Sequence, residues 1–295
     1  MVSSLPHAVA RTIFYADIFM YPLKLDEIYR WLIGYRKTNV KILHKFIPSF
    51  VAVKNAYYFI EGKHTDITRR EKRLRISQKK FQYIRGVIKI LGLIPTIELI
   101  GVTGALAMYN ADRDDDIDIC IIASEKTVWT TRFLTVVLLE LMRIRRRPRE
   151  KKVGDKVCAN MFLDASKLAL PMGERDLYAA HEILQMKPLY IRSRVYEKFL
   201  KTNEWVKRFL PNAYNPAMKQ SRDKAMTQHS LLHNISVSLL WLFEPVAQAI
   251  QLWYMHNHRT IEIVQNGYLR FHPQDARLWI MNEYKKRLDK FLYRL

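Results

Sequence analysis

The chain has 295 residues, and its 49% hydrophobic and 12% aromatic content supports a sizeable core and excludes wholesale disorder. A formal net charge of +21, from 49 Lys and Arg against 28 Asp and Glu, favours nucleotides, nucleic acid or an acidic membrane surface as partners and is silent on fold. The two cysteines, Cys120 and Cys158, exclude a disulfide framework and fit a reducing, cytoplasmic compartment.

In chain order, the N-terminal stretch has neither a basic run before an apolar one nor a small-residue cleavage site, so no signal peptide is expected. Apolar spacing predicts helices over 8–19, 25–33 and 41–46, and strands at 50–53 and 57–60 flank Lys54-Asn55-Ala56 as a hairpin. Three helices and a hairpin in that order resemble a winged helix. A long helix over 68–91 follows, carrying Arg69, Arg70, Lys72, Arg73, Arg75, Lys79, Lys80, Arg85 and Lys89. Its first reading is a solvated basic face; its second, shared with the basic loop 143–152, is a surface that tracks a phosphate backbone. Then come a strand at 97–102, a loop over 103–115, a strand at 117–123, a helix over 129–142 and a strand at 157–163.

Beyond Leu170 the pattern predicts helices only, over 174–185, 193–201, 230–255 and 278–295. Trp241, Phe243, Trp253 and Tyr254 fall at helical spacing and are assigned to a core. The apolar stretches 87–108, 128–142 and 231–255 carry Lys89, Arg132, Glu140 and Glu244 among other polar residues, so no membrane span is expected. The fold class is therefore α/β (α+β): a winged-helix-like domain at 1–66, a central mixed sheet with flanking helices at 67–168, and a helical region at 169–295. His229, His233, His256 and His258 lack a zinc-protease pattern and are assigned structural or surface roles. The two cysteines are read as buried free thiols without metal spacing.

The informative stretch is Gly101-Val102-Thr103-Gly104-Ala105, then ten residues, then Asp116-Ile117-Asp118-Ile119. On a strand, Asp116 and Asp118 project from one face while Ile117 and Ile119 enter the core. Two adjacent carboxylates repel, and a hard divalent cation, Mg²⁺ or Mn²⁺, removes the repulsion. Gly104 allows close backbone approach, so amides of Thr103, Gly104 and Ala105 would face phosphate oxygens. A phosphate cradle beside a two-carboxylate site suits phosphoryl or nucleotidyl transfer. An EF-hand is rejected, because Ile117 stands where its turn Gly belongs and Ala123 where its closing Glu belongs.

These residues resemble the nucleotidyltransferase superfamily related to DNA polymerase β, over about a quarter of the chain from Glu98 to Asp164. The phrases Asp155–Asn160 and Asp176–Glu182 are similar to uncharacterised bacterial members. The resemblance implies transfer of a nucleoside monophosphate from an NTP, ATP first among them, to an acceptor hydroxyl, with Asp116 and Asp118 on the metal. Two departures stand out. Ala105 replaces the usual Ser or Gly, and the third strand carries Asn160 where active members carry a carboxylate; Asp155 and Asp164 are the alternatives near the strand ends. Asn can coordinate through its carbonyl but cannot act as a base. A degenerate nucleotide- or nucleic-acid-binding protein of the same fold is the rival expectation.

Overall fold

The computed structural model describes residues 4–35, 38–148, 150–215, 237–256, 262–265, 267–271 and 276–292. Helices α1 (Leu5–Ile18), α2 (Leu25–Arg30) and α3 (Val40–Leu43) precede an antiparallel hairpin of β1 (Val51–Lys54) and β2 (Tyr57–Ile60). The hairpin turns through Asn55 and Ala56, both at positive φ. Helix α4 (Thr65–Leu91) follows. A six-stranded mixed sheet then forms from β3 (Ile97–Val102), β4 (Ile117–Ala123), β5 (Val157–Asp164), β6 (Lys187–Ile191), β7 (Glu262–Gln265) and β8 (Tyr268–Phe271). Its spatial order is β6-β3-β4-β5-β8-β7, with β4 and β5 parallel and every other neighbouring pair antiparallel. Helix α6 (Val128–Leu141) makes the crossover that a parallel pair requires.

Strand alternation divides the core. Ile97, Ile100, Val102, Ile117, Ile119, Ile121 and Phe162 pack on one side with residues of α4, α6 and α9 (Glu244–His256). Leu99, Cys120, Ile122 and Leu163 pack on the other with residues of α1, α2, α7 (Leu177–Gln185) and α8 (Val195–Thr202). The N-terminal helices and the chain beyond residue 170 therefore share one core. Helix α10 (Ala276–Leu292) joins the same side through Ile280 and Tyr284.

Two expectations need correction here. The chain beyond Leu170 is not helical throughout; it supplies β6, β7 and β8, half of the sheet. These strands are only four or five residues long. Too few residues are present to display a period of two, and Pro188 is tolerated because β6 is an edge strand. The loop after β3 also contains a one-turn helix, α5 (Gly104–Ala107). Of the helix expected over 230–255, residues 230–236 lie outside the described residues, as do His229, His233 and His258.

Helix α4 has two basic faces with different work. Arg70 pairs with Glu27 at 2.7 Å and bonds the Pro22 carbonyl, and Arg73 holds Asp112 through Nε at 2.9 Å and Nη2 at 2.6 Å. The buried Lys80 ammonium donates to the carbonyls of Arg113 (3.1 Å) and Asp115 (2.7 Å) and pairs with Asp155 at 2.9 Å. Arg73 and Lys80 pin the acidic loop against the helix, while Arg70 ties the helix to α2 and the turn before it. Lys72, Arg75, Lys79, Arg85 and Lys89 face solvent.

Candidate functional site

The site forms where β4 begins beside β5. Ile117 and Ile119 are fully buried on the α4 side, which leaves Asp116 and Asp118 on the opposite face, the one that Cys120 and Ile122 extend toward α7. The expected side-by-side carboxylates are thus present. Parallel register sets Cys158 opposite Asp118. One ligand atom from each of Asp116, Asp118 and Cys158 lies within 4.8 Å of the others. The register slips between Ala159 and Met161, and at that irregularity Asn160 turns its amide onto Asp118, donating to Oδ1 at 2.7 Å.

Gly104 stands over this pair. Its φ of +63° belongs to the left-handed region, and a Cβ built on it would sit 2.8 Å from Asp118 Oδ2. Any side chain at this position would strain the turn and strike the carboxylate. Thr103 donates its amide to the Asp118 carbonyl at 3.0 Å, so the turn is an extension of the β3–β4 ladder. The Gly104 backbone lies close enough to Glu182 of α7 to act on its titration.

Arg146 closes the other side. Its backbone is fixed by donation to the Val157 carbonyl at 3.0 Å, and its guanidinium Nη1 lies 2.8 Å from Asp116 Oδ2 and 3.9 Å from Cys158 Sγ. The electrostatics follow from crowding acids in a poorly solvated place. Burial, then the charges of Asp116 and Glu182, push Asp118 up to about 8. Burial raises Asp116 as well, against the pull of Arg146. Glu182 is pushed up to about 7 by burial, with the Gly104 amide and Arg270 acting in the other direction. Burial also raises the Cys158 thiol. Such a cluster holds protons because burial outweighs the pull of Arg146 and Arg270. Its donor set, two carboxylates and a third atom within reach, fits a divalent cation held by Asp116 and Asp118.

The alternatives for the third position do not reach the site. Asp164 lies at the far end of β5 opposite Ala123 and accepts from the Lys126 amide and from Ser166. Asp155 belongs to the Lys80 anchor. Ala105 is exposed on α5, and its carbonyl accepts from the Met108 and Asn110 amides. Three members were missed as members: Glu182, present in the phrase 176–182 but given no role; Arg146, hidden in the basic loop; and Cys158, set aside as a thiol without metal spacing. Compared with protein-family models, curated proteins and solved structures, the chain finds no match.

Proposed function

We propose that the chain is a metal-dependent nucleotidyltransferase that moves a nucleoside monophosphate from an NTP, ATP being the first candidate, to an acceptor hydroxyl. The observation that carries this reading is the juxtaposition of Asp116 and Asp118 on one strand face beneath a left-handed Gly104. Mg²⁺ or Mn²⁺ bound there would supply charge neutralisation at the transferring phosphoryl group. Asp116 and Asp118 would hold the ion, and Asn160 orients the Asp118 carboxylate through its 2.7 Å hydrogen bond. Glu182 of α7 faces the Gly104 turn from the opposite side of the pair. Arg146 is the cation nearest to the pair and would meet the anionic end of a nucleotide.

The helices and hairpin before α4 support a winged-helix-like start, and the free cysteines support a cytoplasmic protein. The exposed stripe Lys72, Arg75, Lys79 and Lys89 favours nucleic acid as the acceptor class. A second reading, a catalytically degenerate binder of the same fold, draws on Arg146 and Asn160: both occupy carboxylate oxygens that a metal site would offer. Incorporation of α-labelled nucleotide in Mg²⁺ or Mn²⁺, against a panel of RNA and small hydroxyl acceptors, decides between them. Incorporation that Asp116→Asn abolishes establishes the enzyme. Metal-dependent nucleotide binding without incorporation leaves the binder, and neither signal overturns both.

A further inference from the structure

Helix α9 turns large apolar residues outward as well as inward. A helix at a protein surface ordinarily turns its large apolar residues inward and its polar residues to water. Here the inward positions are Ala247, Gln251 and Met255, all buried against the rest of the molecule. Gln251 donates to the carbonyl of Trp129, and Arg132 of α6 bonds its side-chain oxygen. Glu244 is the sole charged side chain between residues 237 and 255. It too is turned inward, accepting from the Trp129 amide at 2.8 Å and the Thr130 amide at 2.9 Å at the start of α6. The outward stripe runs from Leu242 and Phe243, in the turn just before the helix, through Val246, Ile250 and Trp253, with Phe243 61% and Trp253 74% exposed. Trp241 and Tyr254 are exposed as well, so the aromatic cluster is not core, a correction of the sequence reading.

Both ends of this apolar face meet basic groups. The Lys126 ammonium lies 5.9 Å from the Trp241 ring, and Arg147 lies within electrostatic range of Tyr254. Arg143, Lys151 and Lys152 of the same basic loop are exposed. No acidic residue stands on the exposed face of the helix. Helix α9 has 13 residues, and among the described residues no helix is long and apolar enough to cross a membrane.

We propose that α9 is a membrane-surface element, seating its apolar stripe among the acyl chains at the interface of an anionic bilayer while the flanking Lys and Arg meet lipid headgroups. The chemistry matches on each count. Trp and Tyr are favoured at membrane–water interfaces, and an apolar helical face flanked by basic residues lies in the interface plane. The net charge of +21 draws the chain to anionic lipid and opposes pairing of two like-charged copies. This surface is independent of the carboxylate site and of the function proposed for it.

The test uses the full chain and vesicles of phosphatidylcholine alone or mixed with phosphatidylglycerol. Binding is read by flotation, and insertion by quenching of tryptophan fluorescence with brominated acyl chains. Wild type is expected to float with the anionic vesicles and to be quenched. The uncharged double substitution Leu242→Ser and Trp253→Ser is expected to weaken binding by about tenfold or more with its thermal transition unchanged. Trp241 and Trp279 remain exposed in that variant, so loss of quenching reports lost insertion of the helix. Absence of flotation, or equal binding by the variant, overturns the proposal; the latter reduces the interaction to charge alone. A wild-type dimer that the double substitution dissociates, without vesicle binding, overturns it in favour of a second copy.

Discussion

The start of β4 and the outward face of α9 depart from ordinary packing in opposite senses. At β4, Asp116, Asp118 and Glu182 are drawn together in a poorly solvated place, where burial and mutual repulsion hold Asp118 near 8. On α9, large apolar side chains stand in water while Glu244 and Gln251 turn inward. Each arrangement costs stability by itself, and on the readings proposed above each would be relieved by something outside the chain: a cation in the first case, an apolar phase in the second. Lys80 is buried but satisfied three times over, and His181 is a neutral core histidine stacked on Tyr15 with ring centroids 4.1 Å apart. On those readings the contrast separates charge that holds the fold together from charge that waits for a ligand.

Substitutions break or sharpen this contrast. The largest effect is expected at the carboxylates: Asp116→Asn or Asp118→Asn should lower nucleotide incorporation by roughly a thousandfold or more, since several kcal/mol of charge stabilisation are lost, as single-turnover rates would show. Stability should respond elsewhere. Glu244→Ala removes the acceptor of three hydrogen bonds at the α6 start and should cost about 1–3 kcal/mol in urea denaturation.

The pH dependence of stability has two opposing parts. Asp118 moves from 3.8 to about 8, so between those values the folded form holds a proton that the unfolded chain has lost. Metal-free stability should therefore fall as pH rises through this window, and Asp118→Asn should flatten the slope and stabilise the protein by about 1–3 kcal/mol at pH 8. His181, lowered from 6.5 to about 3, works in the other sense: its contribution is full above 6.5 and is lost as pH falls toward 3. Arg146→Gln removes the cation that competes at Asp116 Oδ2 and should tighten Mn²⁺ binding by about tenfold in a metal titration. The smallest effect is expected on α9 and the turn before it, where Leu242→Ser and Trp253→Ser should each shift stability by no more than about 0.5 kcal/mol, because both side chains are exposed.

Strands β3 and β4 were legible to the residue because buried runs bounded by turn signals leave little ambiguity, and alternation alone put Asp116 and Asp118 on one face. Cys158, Arg146 and Glu182 come from a parallel strand, a loop and a distant helix; their approach is set by tertiary packing that no local pattern encodes. The short strands β6, β7 and β8 were lost for want of length. Helix α9 fails in a more instructive way. Periodicity reveals an apolar stripe, yet it cannot say whether protein, lipid or water lies against it. Placing Trp241, Phe243, Trp253 and Tyr254 in a core followed the commonest outcome, and the inward-turned Glu244 and Gln251 reversed it.

The central claim is that the acids at β4 await a metal and a nucleotide. It is tested most directly by thermal unfolding of wild type and Asp116→Asn with each NTP, in Mg²⁺ and in its absence. A ligand bound only by the folded state at a hundredfold excess over Kd should stabilise wild type by about 2.7 kcal/mol. Expected is stabilisation that requires both Mg²⁺ and nucleotide and that vanishes in Asp116→Asn; an equal response in the two proteins, or none with any nucleotide, would contradict the claim.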